Sequence, residues 1–156
     1  MNRMLIAFAA LLCLMVVAFG QGSGGIPAKS GHASFKFDNE EITYDQVSGN
    51  FNQSYGFTSA MLTFSKDGKP ASDHFAISIM MQNPGTADLN QRGNGIGYWR
   101  GGKIITYLKS KSQCTMKVTK LTATSVEGVA ECPVANEQSG EGTHSLSAVK
   151  FSASAN

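Results

Sequence analysis

Tyr98, Trp99 and Arg100 are consecutive, with Gly97 before them and Gly101-Gly102 after, and Trp99 is the single tryptophan of the chain. These side-chain types are enriched at binding hot spots. An aromatic plane takes an apolar face or a cation, and the C–H face of a sugar is one such surface. Tyr55 adds to the same surface if the loops gather at one end of the fold. An opposing expectation comes from strand geometry, because neighbours on a strand point to opposite faces. One of Tyr98 and Trp99 then belongs to the core. The segment before them, 82–97, reads QNPGTADLNQRGNGIG and contains no credible strand. Loops of this length are usually functional or disordered. Asp88, Asn90 and Gly93 fit the first, third and sixth positions of a calcium loop. Arg92 and Trp99 occupy positions where oxygen ligands are required, so the match is poor and a mobile surface loop is the better reading.

Catalytic signatures are thin. His32, His74 and His144 are scattered, and no G-x-S-x-G elbow is present, although a triad needs no adjacency in sequence. Glu40 and Glu41 are adjacent in a predicted turn and are poor partners for paired acid–base work. The chain has no H-E-x-x-H, phosphate-loop or dinucleotide fingerprint. No catalytic residue, metal site or cofactor is therefore expected. Nucleic acid is an unfavourable partner, since the formal charge is only +2 and a phosphate-binding surface needs concentrated cations.

The first twenty residues read as an address. Asn2 and Arg3 precede sixteen apolar residues, Met4 to Phe19, and Ala18-Phe19-Gly20 places small residues at the minus three and minus one positions before Gln21. This is the pattern of a cleaved signal peptide. A membrane anchor is the poorer reading, because spanning takes roughly 20 apolar residues. Export implies a periplasmic or extracellular location with no lasting membrane insertion. Of the three cysteines, Cys114 and Cys132 survive cleavage, and in an oxidising compartment they pair. Residues 21–32, QGSGGIPAKSGH, read as a flexible linker. Residues 33–156 form a single domain.

Short alternating runs, bounded by Gly, Asn, Asp and Ser, fill that domain. They include Ala33, Phe35 and Phe37; Ile42 and Tyr44; Ala60, Leu62 and Phe64; and Phe75, Ile77, Ile79 and Met81. Further runs are 103–108 and 145–153, the latter with a phase slip between Leu146 and Val149 that suggests a bulge. Facing Cys114 with Cys132 across an antiparallel hairpin sets Met116 opposite Ala130 and Val118 opposite Gly128. The other face then carries Thr115, Lys117 and Thr119 against Glu131, Val129 and Glu127, with Lys117 diagonal to both glutamates. A one-residue slip would break this alternation. Seven to eight strands with little helix predict an all-β, antiparallel sandwich, jelly-roll-like or immunoglobulin-like, with a small closed barrel as the alternative.

The function expected from these features is non-enzymatic binding by an exported domain through residues 82–102. Its partner is a glycan or an extracellular or envelope protein. The competing expectations are a small extracellular hydrolase or protease inhibitor, and a structural or assembly protein of the cell envelope.

Overall fold

The computed structural model describes residues 24–68, 73–106 and 113–156. The signal peptide expected over 1–20 lies outside these residues, as do residues 21–23 and the end of the strand expected over 103–108. Twelve strands are formed among the described residues, and no helix. They are β1 (Ile26–Pro27), β2 (Ser30–Phe37), β3 (Glu40–Tyr44), β4 (Gln46–Ser54), β5 (Phe57–Ser65) and β6 (His74–Met81). They continue as β7 (Gly85–Ala87), β8 (Gly95–Arg100), β9 (Lys103–Thr106), β10 (Gln113–Thr122), β11 (Ser125–Glu137) and β12 (Thr143–Ser154).

Every pairing is antiparallel. The thirteen-residue β11 forms the corner. On one side it pairs β12, which continues the sheet through β2 to β3. On the other side its first part pairs β10, with β7 beyond. Its end, Asn136 and Glu137, pairs Thr106 and Ile105 of β9. From there the path runs through β8, β6, β5 and β4 to β1 and does not close into a barrel. The two halves face each other as a sandwich. Phe35 of β2 meets Phe75 of β6 and Tyr98 of β8, each with ring centroids 5.0 Å apart. Phe51, Leu62, Phe64, Ile79, Leu146 and Val149 fill the space around them.

The all-β sandwich is as expected, with more strands than seven or eight. Strands β1 and β7 are only two and three residues long, too short to show a period of two. In β8 the alternation is hidden because Gly95 and Gly97 occupy its outward positions. Residues 82–97 are therefore not one long loop: β7 and the start of β8 lie within them, leaving Asp88–Asn94 irregular. Of the residues read as a flexible linker, 21–32, those described include two paired stretches. Ile26 and Pro27 pair Phe51 and Asn50, and Ser30 to His32 pair Ser154 to Ser152. Small polar residues gave no alternation there, but the free edges of β4 and β12 supply the hydrogen bonds.

Cys114 and Cys132 form a disulfide with their Cα atoms 4.1 Å apart. Met116 opposes Ala130 and Val118 opposes Gly128, the expected register, and all four are buried. The glycine is needed, because the Phe151 ring of β12 occupies the place of a Cβ at Gly128. Beyond Val118 the register shifts, so that Lys120, not Thr119, opposes Glu127. Glu127 accordingly pairs with Lys120 at 3.1 Å, while Lys117 opposes Val129 as expected and stays diagonal to Glu127 and Glu131. The phase slip in β12 is a bulge, with Ala148 at φ 52°.

Candidate functional site

The alternation of β8 separates the three consecutive residues read as a binding patch. Tyr98 is wholly buried, wedged edge-on against Phe35 and Phe37. It is a core residue, which corrects its assignment to the surface. Its hydroxyl is enclosed without a hydrogen-bond partner. Burial raises its pKa, and burial with the neighbouring Tyr98 phenol raises that of Tyr44. Arg100 is half-buried and acts as a clamp between the two halves. Its guanidinium donates to Glu40 of β3 at 2.7 Å and lies 5.3 Å from the centre of the Phe37 ring. The bond to Glu40 raises the Arg100 pKa. The turn after it is tied down by the Gly101 N–H, which donates to Asp73 at 2.9 Å.

Trp99 alone of the three faces outward from the sandwich. Its indole stacks on the His74 imidazole of β6, with centroids 4.6 Å apart and planes 13° from parallel. The benzenoid edge sits over Gly97, where an ideal Cβ would stand 2.6 Å from Cζ3. Gly97 thus leaves the room that fixes the indole. Tyr55 is 99% exposed at the tip of the β4–β5 hairpin, at φ 50°. Phe57 and Thr58 follow that tip, and Thr58 pairs Met81, whereas Trp99 pairs His74 at the other end of β6. At about 3.3 Å per residue the two lie roughly 23 Å apart along the strand. Tyr55 and Trp99 do not share a surface.

The surface that Trp99 does share was not legible as a motif. Three transverse rows cross the outer face of β4, β5, β6 and β8. One is Asn50, Met61, Ser78 and Gly95; the next is Ser48, Thr63, Ala76 and Gly97; the third is Gln46, Ser65, His74 and Trp99. None of these positions carries a carboxylate, an ammonium or a guanidinium. The opposite outer face is charged, with Lys36, Glu41, Lys117, Glu127, Glu131 and Lys150 pointing outward on β2, β3, β10, β11 and β12. Small residues in the middle of the uncharged face leave a shallow concavity of about 310 Å³ between Met61 and Trp99. Met61 is 70% exposed. The signal in the sequence was the run of Gly, Ser, Ala and Thr at the outward positions of β5, β6 and β8, which is visible only once register aligns them.

The Asp88–Asn94 turn closes on itself. The Asp88 carboxylate accepts from Asn90 N–H at 2.9 Å. Its carbonyl accepts from Gln91 N–H at 3.0 Å and Asn94 Nδ2 at 3.0 Å. Asn94 Oδ1 in turn accepts from the Met80 N–H at 2.7 Å. These bonds turn Asp88 and Asn94 to holding the chain.

The histidines test the hydrolase alternative. His144 Nδ1 meets Asp38 at 2.6 Å and Nε2 meets Glu137 at 3.0 Å, so neither nitrogen is left to accept a serine proton. His32 Nδ1 meets Asp45 at 2.7 Å, and no serine hydroxyl hydrogen-bonds it among the described residues. His74 is stacked on Trp99. Among the described residues no three His, Cys, Asp or Glu side chains converge as a metal site, and no helix is long and apolar enough to cross a membrane.

No protein-family model, curated protein or solved structure matches this chain.

Proposed function

We propose that this chain is an exported, non-enzymatic binding domain that takes an uncharged glycan on the outer face of β5, β6 and β8, at Trp99. The observation that carries this reading is the uncharged face with its fixed indole. Trp99 is immobilised by Gly97 and His74 before any ligand arrives, so little side-chain entropy remains to be lost on binding. A sugar presents an apolar C–H face to an aromatic ring and hydroxyls to its neighbours. Thr63, Ser78 and Asn50 flank the concavity with groups that donate and accept. No charge has to be stripped of water there, which removes the largest desolvation cost. The signal-like residues 1–20 and the Cys114–Cys132 disulfide support export.

Trp99, as the sole tryptophan, reports directly on its own site. Its emission is to be followed against neutral oligosaccharides, and pull-downs run on insoluble polysaccharides. The expected result is a shift in emission and retention on at least one neutral glycan, lost in Trp99→Ala and kept in Tyr55→Ala. Gly97→Ala displaces the indole and weakens binding. Retention by Trp99→Ala would overturn the site, and failure on every neutral glycan would overturn the ligand class. A protein partner is the second reading, favoured by the exposed Met61, an adaptable apolar contact. Binding that Met61→Glu abolishes, on a protein and on no glycan, would establish it.

A further inference from the structure

His144 has a carboxylate on each side of its ring. Asp38 Oδ2 lies 2.6 Å from Nδ1, and Glu137 Oε1 lies 3.0 Å from Nε2. An ionised carboxylate only accepts, and a neutral imidazole has one N–H. Both bonds are made at once only by the doubly protonated imidazolium. The carboxylates are themselves held as anions. Asp38 Oδ1 accepts from the Ser145 N–H at 2.8 Å. Glu137, with its side chain only 3% exposed, also accepts from Lys103 Nζ at 2.8 Å and Ser139 Oγ at 3.2 Å.

The charged groups around the ring come from several elements. Asp38 is in the β2–β3 turn, Glu137 ends β11 and Lys103 begins β9. Arg100 of β8 and Glu40 of β3 form their own pair beyond the Phe37 ring, whose centroid is 4.9 Å from that of His144. Glu141 acts on Lys103. The two carboxylates balance His144 and Lys103 only while His144 is charged. On losing one proton, the ring retains a single N–H. That N–H stays with Glu137, because a bare ring nitrogen held against this buried carboxylate would find no relief there, whereas Asp38 is 45% exposed and can turn to water. The Asp38 bond is the one that breaks.

We propose that His144 is a proton-operated latch on the Asp38–Asn39 turn. The protonated ring fastens the turn, and deprotonation loosens it and the adjoining end of β3, leaving the bonds of Asp38 with the Ser145 backbone. The turn suits this role. Asp38 and Asn39 both sit at positive φ, 47° and 73°, and β3 pairs β2 and no other strand among the described residues. The first residue of β3, Glu40, holds Arg100, the neighbour of Trp99, so release loosens the clamp behind the indole.

Burial of the site opposes the charged ring, but Glu137 and Asp38 outweigh it and the pKa of His144 rises. A raised folded pKa gives stability that is complete below the ordinary value of 6.5 and lost as pH rises through the folded value. For every pH unit by which the folded value exceeds the ordinary one, the folding equilibrium constant falls about tenfold across that window.

The test needs no glycan, so it stands or falls apart from the binding reading. The histidine Cε1–H resonances and the backbone amides of Asn39 and Glu40 are to be followed by NMR from pH 5 to about 9. The expected result is a His144 midpoint above 6.5, with Asn39 and Glu40 shifting at the same midpoint and their hydrogen exchange exceeding the intrinsic rise above it. Asp38→Asn should lower the His144 midpoint and remove the response of the turn. His144→Gln should abolish that response too; if it does not fold, the wild-type titration and Asp38→Asn decide. A midpoint at or below 6.5, or turn amides indifferent to it, would overturn the latch.

Discussion

The Glu131 carboxylate accepts the Ala148 backbone N–H at 2.8 Å, bridging β11 to the bulge of β12. Ala148 is a non-glycine residue at φ 52°, a conformation that costs roughly 1 kcal/mol or more for a side chain with a Cβ. Ala148→Gly relieves that cost but adds freedom to the unfolded chain. It should leave stability within about 0.5 kcal/mol of the parent. Ala148→Val should destabilise strongly, because a β-branched residue tolerates positive φ poorly. Glu131→Ala should cost about 1 kcal/mol, reduced from the usual value of a charged hydrogen bond by its exposure. Urea unfolding of the three variants measures all of this.

Asn94 makes three hydrogen bonds: its Oδ1 accepts from Met80 N–H and ties the irregular 88–94 turn to β6, while its Nδ2 donates to the Asp88 carbonyl and its own N–H to the Gln91 carbonyl within the turn. Asn94→Ala deletes the first two and leaves the Met80 N–H without that partner. A loss of about 2 kcal/mol is expected. Asn94→Asp should retain the acceptor and lose the donor, and so fall between. A thermal-melt series with Asn94→Ala no less stable than the parent would remove Asn94 as the anchor.

Tyr98 has a wholly buried ring and an unpartnered hydroxyl. Tyr98→Phe removes the unpaired group and keeps the ring, so it should be neutral or stabilising by up to about 1 kcal/mol. Tyr98→Ala opens a cavity between Phe35 and Phe37 and should cost about 3–5 kcal/mol. Strong destabilisation by Tyr98→Phe would show that the hydroxyl is satisfied in solution.

Glu137 sets the acid limit. Bonds from Lys103 and His144 bring its pKa down from 4.5 to about 2. The unfolded carboxylate binds its proton more readily than the folded one. Its stabilising contribution is therefore complete above 4.5 and lost as pH falls through about 2. Unfolding curves from pH 6 down to about 2 should steepen below 4.5 in the parent and flatten there in Glu137→Gln. A parent curve without that slope would contradict the bonding described.

Much of the fold could be read from the chain because strand alternation and a pair of cysteines are local signals. They set Met116 opposite Ala130 and Val118 opposite Gly128, and the slip between Leu146 and Val149 marked the bulge. Alternation also required that Tyr98 and Trp99 part company, since a period of two leaves no other arrangement. It could not say which of them would be buried. That depended on Phe35 and Phe37, more than sixty residues earlier, coming to rest on the inner face of β8. Tertiary pairing also decided that Tyr55 lies far from Trp99, and that Gly, Ala, Ser and Thr from four strands join into one uncharged face. The latch is the extreme case. Asp38 and His144 are 106 positions apart, and no pattern along the sequence carries a contact made by β12 folding back beside β2. A sequence specifies the face a side chain takes on its own strand. Which faces meet is settled by the packing of all the strands together, because burial is a property of the whole core.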